Sequence, residues 1–326
     1  MRIGKYILTI AFLALSAGGF AQTFKFNGML FRILTDSTVA VGNHDPYPQP
    51  KDTSSYYRKP ENIPELVGDI VIPSKVEYKG HGYTVTEIGD SAFMNCYKIL
   101  SISIPLSIIK IGDFAFYKSQ NSTFSIPQSV QSIGENAFAY SELESIILPD
   151  TMLFIGKKAF YMCHQLSDIK IPYGIKTINE MCFACGFTYI DIPETVTYID
   201  YCALTSDAFN LWGYSNRFII ICHAQKPPFG YDFLSFIYPH YSPGHFPQNY
   251  KLYVPSSSVE LYKKADVWSC FQTILPIEDS NIIYSPYHTI LENNSYALDG
   301  QKLSAPRKGL NIVKMSDGTT RKVFVK

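Results

Sequence analysis

The chain has 326 residues, of which 28 are Lys or Arg and 28 are Asp or Glu, so its formal net charge is zero. This balance lacks the basic excess with which nucleic-acid-binding proteins neutralise phosphates, and we expect no nucleic-acid partner. Hydrophobic residues make up 46% of the chain and aromatic residues 15%, which is enough for a continuous core and too apolar for a disordered protein.

The first 21 residues have the pattern of a secretory signal peptide. Arg2 and Lys5 supply the positive start, and the apolar stretch Tyr6–Ala17 that follows is too short to span a bilayer. Gly19 and Ala21 place small residues where a signal peptidase cleaves. We therefore expect an exported protein, secreted or on the cell surface, without a transmembrane span in its mature chain.

Residues 22–72 are predicted to form an N-terminal β cap. Strands are expected over 24–34 and 38–42, and residues 43–64 form a polar, proline-rich loop. Such a cap covers the end of a repeat array, where open strand edges and apolar faces would otherwise invite aggregation.

An additional hairpin is predicted early in the region that follows. Residues 76–78 and 83–86 favour strands, and the Lys-Gly-His-Gly sequence between them is a turn signal. His81 lies between the two glycines of this turn, so we interpret it as a turn residue rather than a ligand.

A motif of Ile-Pro followed by Ile-Gly and Ala-Phe recurs in the middle of the chain. Its prolines at 105, 127, 149, 172 and 193 lie 22, 22, 23 and 21 residues apart. A period in this range is typical of a solenoid, in which one supersecondary unit stacks on copies of itself. The sequence therefore predicts a mainly β solenoid over residues 73–276, with short parallel strands and windings of about 22 residues.

The columns of the repeat each have a physical interpretation. Apolar residues three and one positions before the proline favour a short strand with one buried face, and the proline ends it because it has no amide hydrogen. Apolar residues three and six positions after the proline line the opposite wall. For the next column we expect a positive φ, because its residues tolerate a left-handed backbone: Gly89, Gly112, Gly134, Gly156, Asn179 and Asp200.

In the next two columns a small residue is followed by a large one, usually Phe, and this predicts a stacked phenylalanine spine through the core. Three positions beyond the Phe lies a column of Cys and Ser, which we interpret as small core residues rather than a metal or redox site. Cys182 and Cys185 form a Cys-x-x-Cys motif, but zinc would need a second pair of ligands. The total of seven cysteines is odd, so at least one is unpaired, and a disulfide between Cys163 and Cys185 is geometrically feasible.

The repeats resemble the BspA-type leucine-rich repeat family of bacterial surface proteins, which is common in Bacteroides-like organisms. Residues 104–163 carry the match most completely, and residues 252–271 are similar to the closing repeat of that family. The resemblance covers residues 24–276 and thins after Leu204. It implies a leucine-rich repeat solenoid and a non-catalytic secreted or surface protein, associated with the outer membrane, that binds partners. In some members of the family these partners are host matrix proteins.

Residues 229–250 interrupt the repeat with a long aromatic insertion. Loops on rigid scaffolds often carry binding sites, and the alternative is that these rings anchor the insertion on the solenoid. No carboxylate lies next to His240 or His245 in the sequence, and we expect neither a metal nor a cofactor. The candidate ligand-binding residues are Phe233, Tyr238, His240, Tyr241, His245 and Phe246.

A short helix is predicted to close the C-terminal end of the solenoid. Ser257–Glu260 has the pattern of a capping box, and the helix should extend to about Ala265. Val259, Tyr262 and Trp268 are expected to pack this segment against the last winding.

Residues 277–326 are predicted to form a separate C-terminal β tail, with a hairpin between 310–315 and 320–325. The stretch 296–302 is similar to the C-terminal tails of exported Bacteroidetes proteins, including the type IX sorting domains. The alternative is an extra sheet packed on the array.

No catalytic motif was found, and we expect no enzyme. In Cys163-His164 and Cys222-His223 the two side chains are sequence neighbours, and neighbours on a strand point to opposite faces. Two functions remain. One is a recognition or adhesion protein that binds protein or glycan partners through the solenoid face and the insertion. The other is a structural or assembly protein of the cell envelope. A mixed outward face argues against a repetitive ligand: Ser103, Ser125, Ile147, Lys170 and Asp191.

Overall fold

A computed structural model describes residues 22–42, 66–121, 123–205, 218–230 and 250–277, and the backbone of four strands between 295 and 325. Three of the segments predicted above lie outside the described residues: the signal peptide 1–21, the loop 43–64 and the insertion from 231 to 249.

Three strands open the described chain: β1 (Thr23–Phe26), β2 (Met29–Ile33) and β3 (Thr38–Val41). β1 and β2 form an antiparallel hairpin, and β2 pairs with β3 in the same way. The first hairpin turns at Asn27 and Gly28, whose φ angles of 47° and 79° are those of a type I′ turn. The strand predicted over 24–34 is therefore divided by an Asn-Gly turn.

Stacked windings follow, and each full winding contributes two short strands. We call the strands that precede the repeat proline the proline-side strands, and those that precede the glycine column the glycine-side strands. In chain order the strands are β4 (Gly68–Val71), β5 (Lys75–Tyr78), β6 (His81–Ile88), β7 (Ile99–Ser103), β8 (Lys110–Ile111), β9 (Thr123–Ser125), β10 (Ser132–Ile133), β11 (Ser145–Ile147), β12 (Phe154–Ile155), β13 (Asp168–Lys170), β14 (Thr177–Ile178), β15 (Tyr189–Ile192), β16 (Tyr198–Ile199), β17 (Phe218–Cys222), β18 (Phe229–Gly230), β19 (Tyr250–Val254) and β20 (Thr273–Pro276).

Parallel pairing in register joins equivalent strands of successive windings. On the glycine side β3, β6, β8, β10 and β12 form one continuous ladder, and β14, β16 and β18 form a second. On the proline side β13, β15, β17, β19 and β20 pair in order, as do β4 with β7 and β9 with β11. The predicted mainly β solenoid with short parallel strands is confirmed. The predicted domain boundaries at residues 72 and 276 stay predictions.

Between β7 and β9, hydrogen bonds from a side chain to main-chain carbonyls join the two windings. The buried Asn121 donates from Nδ2 to the carbonyl oxygens of Ile99 (3.2 Å) and Leu100 (3.1 Å). Each N–H thereby satisfies an acceptor on the preceding winding, which limits the penalty of burying unpaired main-chain groups.

The predicted hairpin next to the N-terminal strands is also present. β5 pairs antiparallel with β6, and Lys79 and Gly80 turn the chain with φ angles of 54° and 76°. The prediction that His81 lies in the turn is wrong, because His81 begins β6 and pairs with Tyr78. β6 continues from this hairpin into the glycine-side ladder, where it lies parallel to β3 and β8. The hairpin is therefore an extension of the first windings.

The third side of each winding is a run of turns whose amides also bond to the next winding. The Phe93, Phe116 and Phe138 N–H groups donate to the carbonyls of Ala115, Ala137 and Ala159 at 2.7–2.8 Å. The phenylalanine rings stack inside this side with centroids 5.1–5.5 Å apart and interplanar angles of 4–18°, which confirms the predicted spine: Phe93, Phe116, Phe138, Phe160 and Phe183.

The prediction of positive φ in the glycine column is wrong. Positive φ falls two residues later, at Ser91 (55°), Phe114 (56°), Asn136 (53°) and Lys158 (57°). The glycines serve close packing instead: a Cβ on Gly134 would lie 2.6 Å from the Asp113 amide nitrogen of the preceding winding. The column therefore selects small residues because adjacent windings meet there backbone to backbone.

The C-terminal lid differs from the predicted capping box. A 3₁₀ turn over 256–258 leads into the helix α1 (Val259–Tyr262), which is shorter than expected and has no side-chain cap bond. The Ser258 hydroxyl instead donates to the carbonyl of Gln225 at 2.8 Å. The predicted packing is confirmed, because Tyr262 and Trp268 are fully buried and donate to the carbonyls of Ala224 and Pro228 at 3.0 Å.

The tail contains the antiparallel strands β21 (Ser295–Tyr296), β22 (Lys302–Leu303), β23 (Gly309–Lys314) and β24 (Thr320–Val325). β23 and β24 form the predicted hairpin, and β21 pairs with both β22 and β23.

Candidate functional site

A cleft of about 430 Å³ opens on the outer face of the proline-side sheet, near the ends of β13 and β15. Its polar lining comes from two positions that recur in the repeat, the outward residue of the strand and the residue after the proline, and from one residue of the next winding. Lys170 and Asp191 are in-register partners on the outward face of these strands. Three residues come directly after the repeat prolines 149, 172 and 193, and they also line the cleft: Asp150, Tyr173 and Glu194.

His223 completes the cleft from the next winding. It follows β17, and its N–H donates to the carbonyl of Ile192 at 3.0 Å, which aligns it with Pro193 of the preceding winding. Cys222, directly before it, is fully buried. The expectation that these two neighbours face opposite ways is therefore confirmed, and they do not form a nucleophile–base pair.

Two short hydrogen bonds join pairs of side chains that line the cleft. The His223 Nε2 lies 2.8 Å from Asp191 Oδ1, and the Tyr173 hydroxyl donates to Glu194 Oε1 at 2.6 Å. The hydrogen bond that His223 donates to Asp191 raises the pKa of His223, an effect that partial burial opposes. The hydrogen bond to Glu194 likewise raises the pKa of Tyr173. Tyr173 as a whole residue is 55% exposed, so it is accessible to a ligand.

Beyond the cleft, the outward face of the proline-side sheet becomes apolar. In the row that contains Lys170 and Asp191, the next two in-register residues are Ile221 and Tyr253. These two side chains pack with Tyr189 and Ile219 in a second hydrophobic cluster, separate from the core, whose members are only 4–6% exposed. The cleft therefore lies where the outer face changes from charged to apolar.

The candidate ligand-binding residues of the insertion lie outside the described residues, and their role stays a prediction: Phe233, Tyr238, His240, Tyr241, His245 and Phe246. Phe229 and Tyr250, the two ends of the predicted insertion, belong to β18 and β19. Tyr250 is fully buried in the core, so the insertion between the strands is limited to residues 231–249.

Sequence reasoning noted Lys170 and Asp191 as outward residues but missed the cleft they line. The signal that could have found it is the column directly after the proline, in which Asp150, Tyr173 and Glu194 follow one another. No repeat position in the sequence indicated that His223 lines the cleft, because the period of the repeat is broken between Pro193 and the next winding.

The cysteines behave as core residues, as expected. All seven, each within the described ranges, are thiols rather than disulfides. Burial raises the pKa of Cys222 to about 11 and that of Cys270 to about 12, so both remain protonated at neutral pH. Among the residues that the structure describes, no group of three or more His, Cys, Asp or Glu side chains is arranged to hold a metal ion.

Comparison with known proteins agrees with the repeat geometry. Residues 86–209 match the model of the BspA type leucine rich repeat region in six copies. This match covers 124 of the 326 residues, so these windings are similar to BspA-type leucine-rich repeats. The cleft lies largely in the last BspA-type windings of that match, and His223 is placed beyond it. No curated protein gave a significant match.

Three solved structures are similar to this chain, each with a TM-score under 0.5. The pneumococcal vaccine antigen PcpA is 20% identical, with 78% of this chain and 67% of that chain covered and a TM-score of 0.48. The Treponema protein described as T. pallidum leucine rich repeat protein TpLRR is 19% identical, with coverage of 66% and 92% and a TM-score of 0.47. A leucine-rich repeat protein from Bacteroides ovatus is 18% identical, with coverage of 78% and 76% and a TM-score of 0.39. Within the described ranges, no helix has the length and apolar character needed to cross a membrane.

Proposed function

We propose that this protein is an exported, non-catalytic recognition or adhesion protein. It binds protein or glycan partners through the outer face of the proline-side sheet and through the insertion 231–249. The observation that carries the proposal is the cleft of about 430 Å³, whose volume falls within the range of small-ligand sites and whose polar groups converge on one opening. A stack of windings with one shared core is a rigid support for such a surface.

Export and placement at the cell surface, in association with the outer membrane, are part of this proposal. The signal peptide pattern in residues 1–21 and the resemblance of residues 296–302 to type IX sorting tails support it. Host matrix proteins are one class of partner that the BspA-type repeats suggest.

Removal of the insertion tests its role in recognition. We expect a variant in which residues 231–249 are replaced by a short Gly-Ser linker to keep the melting temperature of the full chain and to lose partner binding. Binding is measured by pull-down against host matrix proteins and on a glycan array. A collapse of the melting temperature would show that the aromatic residues belong to the core. Absence of any partner for the full chain would contradict the recognition proposal.

The alternative is an assembly protein of the cell envelope that docks on copies of itself. Exposed apolar side chains on the glycine side favour it: Leu153 is 63% exposed, Phe154 51% and Phe229 75%. Concentration-dependent self-association in sedimentation experiments, without any protein or glycan partner, would favour this function over recognition.

A further inference from the structure

The cleft combines hydrogen-bond acceptors, hydrogen-bond donors and an aromatic face within a short distance. Equivalent residues of adjacent windings lie about 4.8 Å apart, so a ligand that crosses three windings would meet Asp150, Tyr173 and Glu194 in turn. Lys170 and His223 add donors beside them. The carboxylates accept hydrogen bonds, the ammonium group donates, and the ring of Tyr173 presents an apolar face.

A pyranose ring has the complementary chemistry. Its hydroxyl groups both donate and accept at the edges of the ring, and its C–H groups form an apolar face that packs on an aromatic side chain. Tyr173 suits this contact because its hydroxyl donates to Glu194 while the residue remains more than half exposed. A volume of about 430 Å³ accommodates a ligand of one or two sugar rings.

The charges of the cleft argue against other ligand classes. Three carboxylates surround the opening, so a phosphate, a sulfate or another anion would be repelled. A cationic side chain would be repelled by the Lys170 ammonium group and would compete with it for these carboxylates. Glu194 accepts from Tyr173 through Oε1, so a sugar hydroxyl would bond to its second carboxylate oxygen. The described residues around the cleft also hold no metal-binding group. An uncharged polar ligand meets none of these penalties.

We propose that this cleft binds an uncharged pyranose residue of a glycan, with Tyr173 stacking on the sugar and Asp150, Lys170 and Glu194 bonding to its hydroxyl groups. The inference rests on the proposed recognition function. It extends that function by naming the class of ligand and a site separate from the insertion 231–249.

The test measures binding of the full chain to glucose-, galactose-, mannose- and N-acetylglucosamine-terminated oligosaccharides by saturation-transfer NMR and calorimetry. Tyr173→Ala should weaken binding by about tenfold or more, because the aromatic contact is lost. Tyr173→Phe keeps the ring and should stay within about threefold of the natural chain. Leu106→Ala is the matched control, since Leu106 also follows a repeat proline, is 76% exposed and lies outside the cleft.

Melting temperatures should be unchanged in all three variants, because both substituted side chains are exposed. Binding only to lysine- or arginine-rich peptides, only to anionic glycans, or equal binding by the Tyr173→Ala and Leu106→Ala variants would overturn the inference. If a host matrix protein is bound by the full chain but none of the uncharged oligosaccharides is, the cleft inference fails while the recognition function stands. If neither protein nor glycan is bound by the full chain, both fail.

Discussion

His223 is the residue whose chemistry depends most directly on the stacking of windings. Its partner Asp191 lies on the preceding winding, and the two are joined only because β15 and β17 pair in register. The hydrogen bond that His223 donates to Asp191 holds the pKa of His223 above its ordinary value. This contribution to stability is therefore fully present below the pKa of the unfolded chain and is lost as the pH rises through the pKa of the folded chain.

Asp191→Asn should lower the pKa of His223, because the substitution removes the charged acceptor. The loss in stability that this variant causes should be largest in mildly acidic solution and should shrink as the pH rises past the folded pKa of the natural chain. The pKa is measured by NMR titration of the imidazole protons, and the stability by urea unfolding at several pH values. Asp150→Asn is the control, since it removes a carboxylate from the same cleft but not from the imidazole. A pKa for His223 that is the same in both variants would contradict the assignment.

At the scale of elements, the phenylalanine spine links the windings through their third side. Phe138 is fully buried and stacks on Phe116 at 5.1 Å and on Phe160 at 5.5 Å. Phe124 from the proline side packs edge-on against the same ring at 5.0 Å. A single side chain therefore contributes to the contacts between three windings.

Phe138→Ala should lower the free energy of unfolding by about 3–5 kcal/mol, because it removes a buried ring and leaves a cavity between packed neighbours. Phe154→Ala changes the same residue type in β12, where Phe154 is 51% exposed. This control substitution should lower the free energy of unfolding by about 1 kcal/mol or less. Urea unfolding followed by circular dichroism measures both. Equal losses in the two variants would contradict the spine as the main contact of this side.

The elements that the sequence predicts well are those in which a buried column repeats. Ile-Pro fixes where a proline-side strand ends, and the Ala-Phe column locates the spine, because burial restricts both to few residue types. The φ of Gly134 was mispredicted because glycine serves either a left-handed backbone or a close approach, and the sequence does not distinguish the two. The capping box that begins at Ser257 was mispredicted because the Ser257 hydroxyl donates to Gln225 Oε1 at 2.9 Å, and Gln225 is distant in the sequence.

The cleft was harder to predict for a related reason. Asp150, Tyr173 and Glu194 lie in one column directly after the repeat proline, but the three side chains share no chemistry, so the column indicates exposed positions without indicating what they bind. The pairing of His223 with Asp191 depends on the register between windings that are separated by an irregular step. Such contacts follow from the three-dimensional stacking rather than from local sequence.

At the scale of the whole molecule, one core runs through the described windings from the N-terminal strands to the C-terminal lid. Phe31 in β2, the spine, and Trp268 beside α1 belong to the same cluster of buried residues. The proposed cleft, the position of the insertion and the pairing of His223 all require that successive windings lie directly above one another in register.

Spin-label distances along the glycine-side ladder test this arrangement most directly. Labels are attached to cysteines introduced at Ser132, Lys110 and Glu87, each paired with one at Phe154, in a chain whose partly exposed Cys96 and Cys270 are replaced by serine. In-register stacking predicts that the separation between backbone positions grows by about 4.8 Å for each winding crossed, over one, two and three windings. Separations that do not increase in this order, or that are equally broad for all three pairs, would contradict the stacked solenoid.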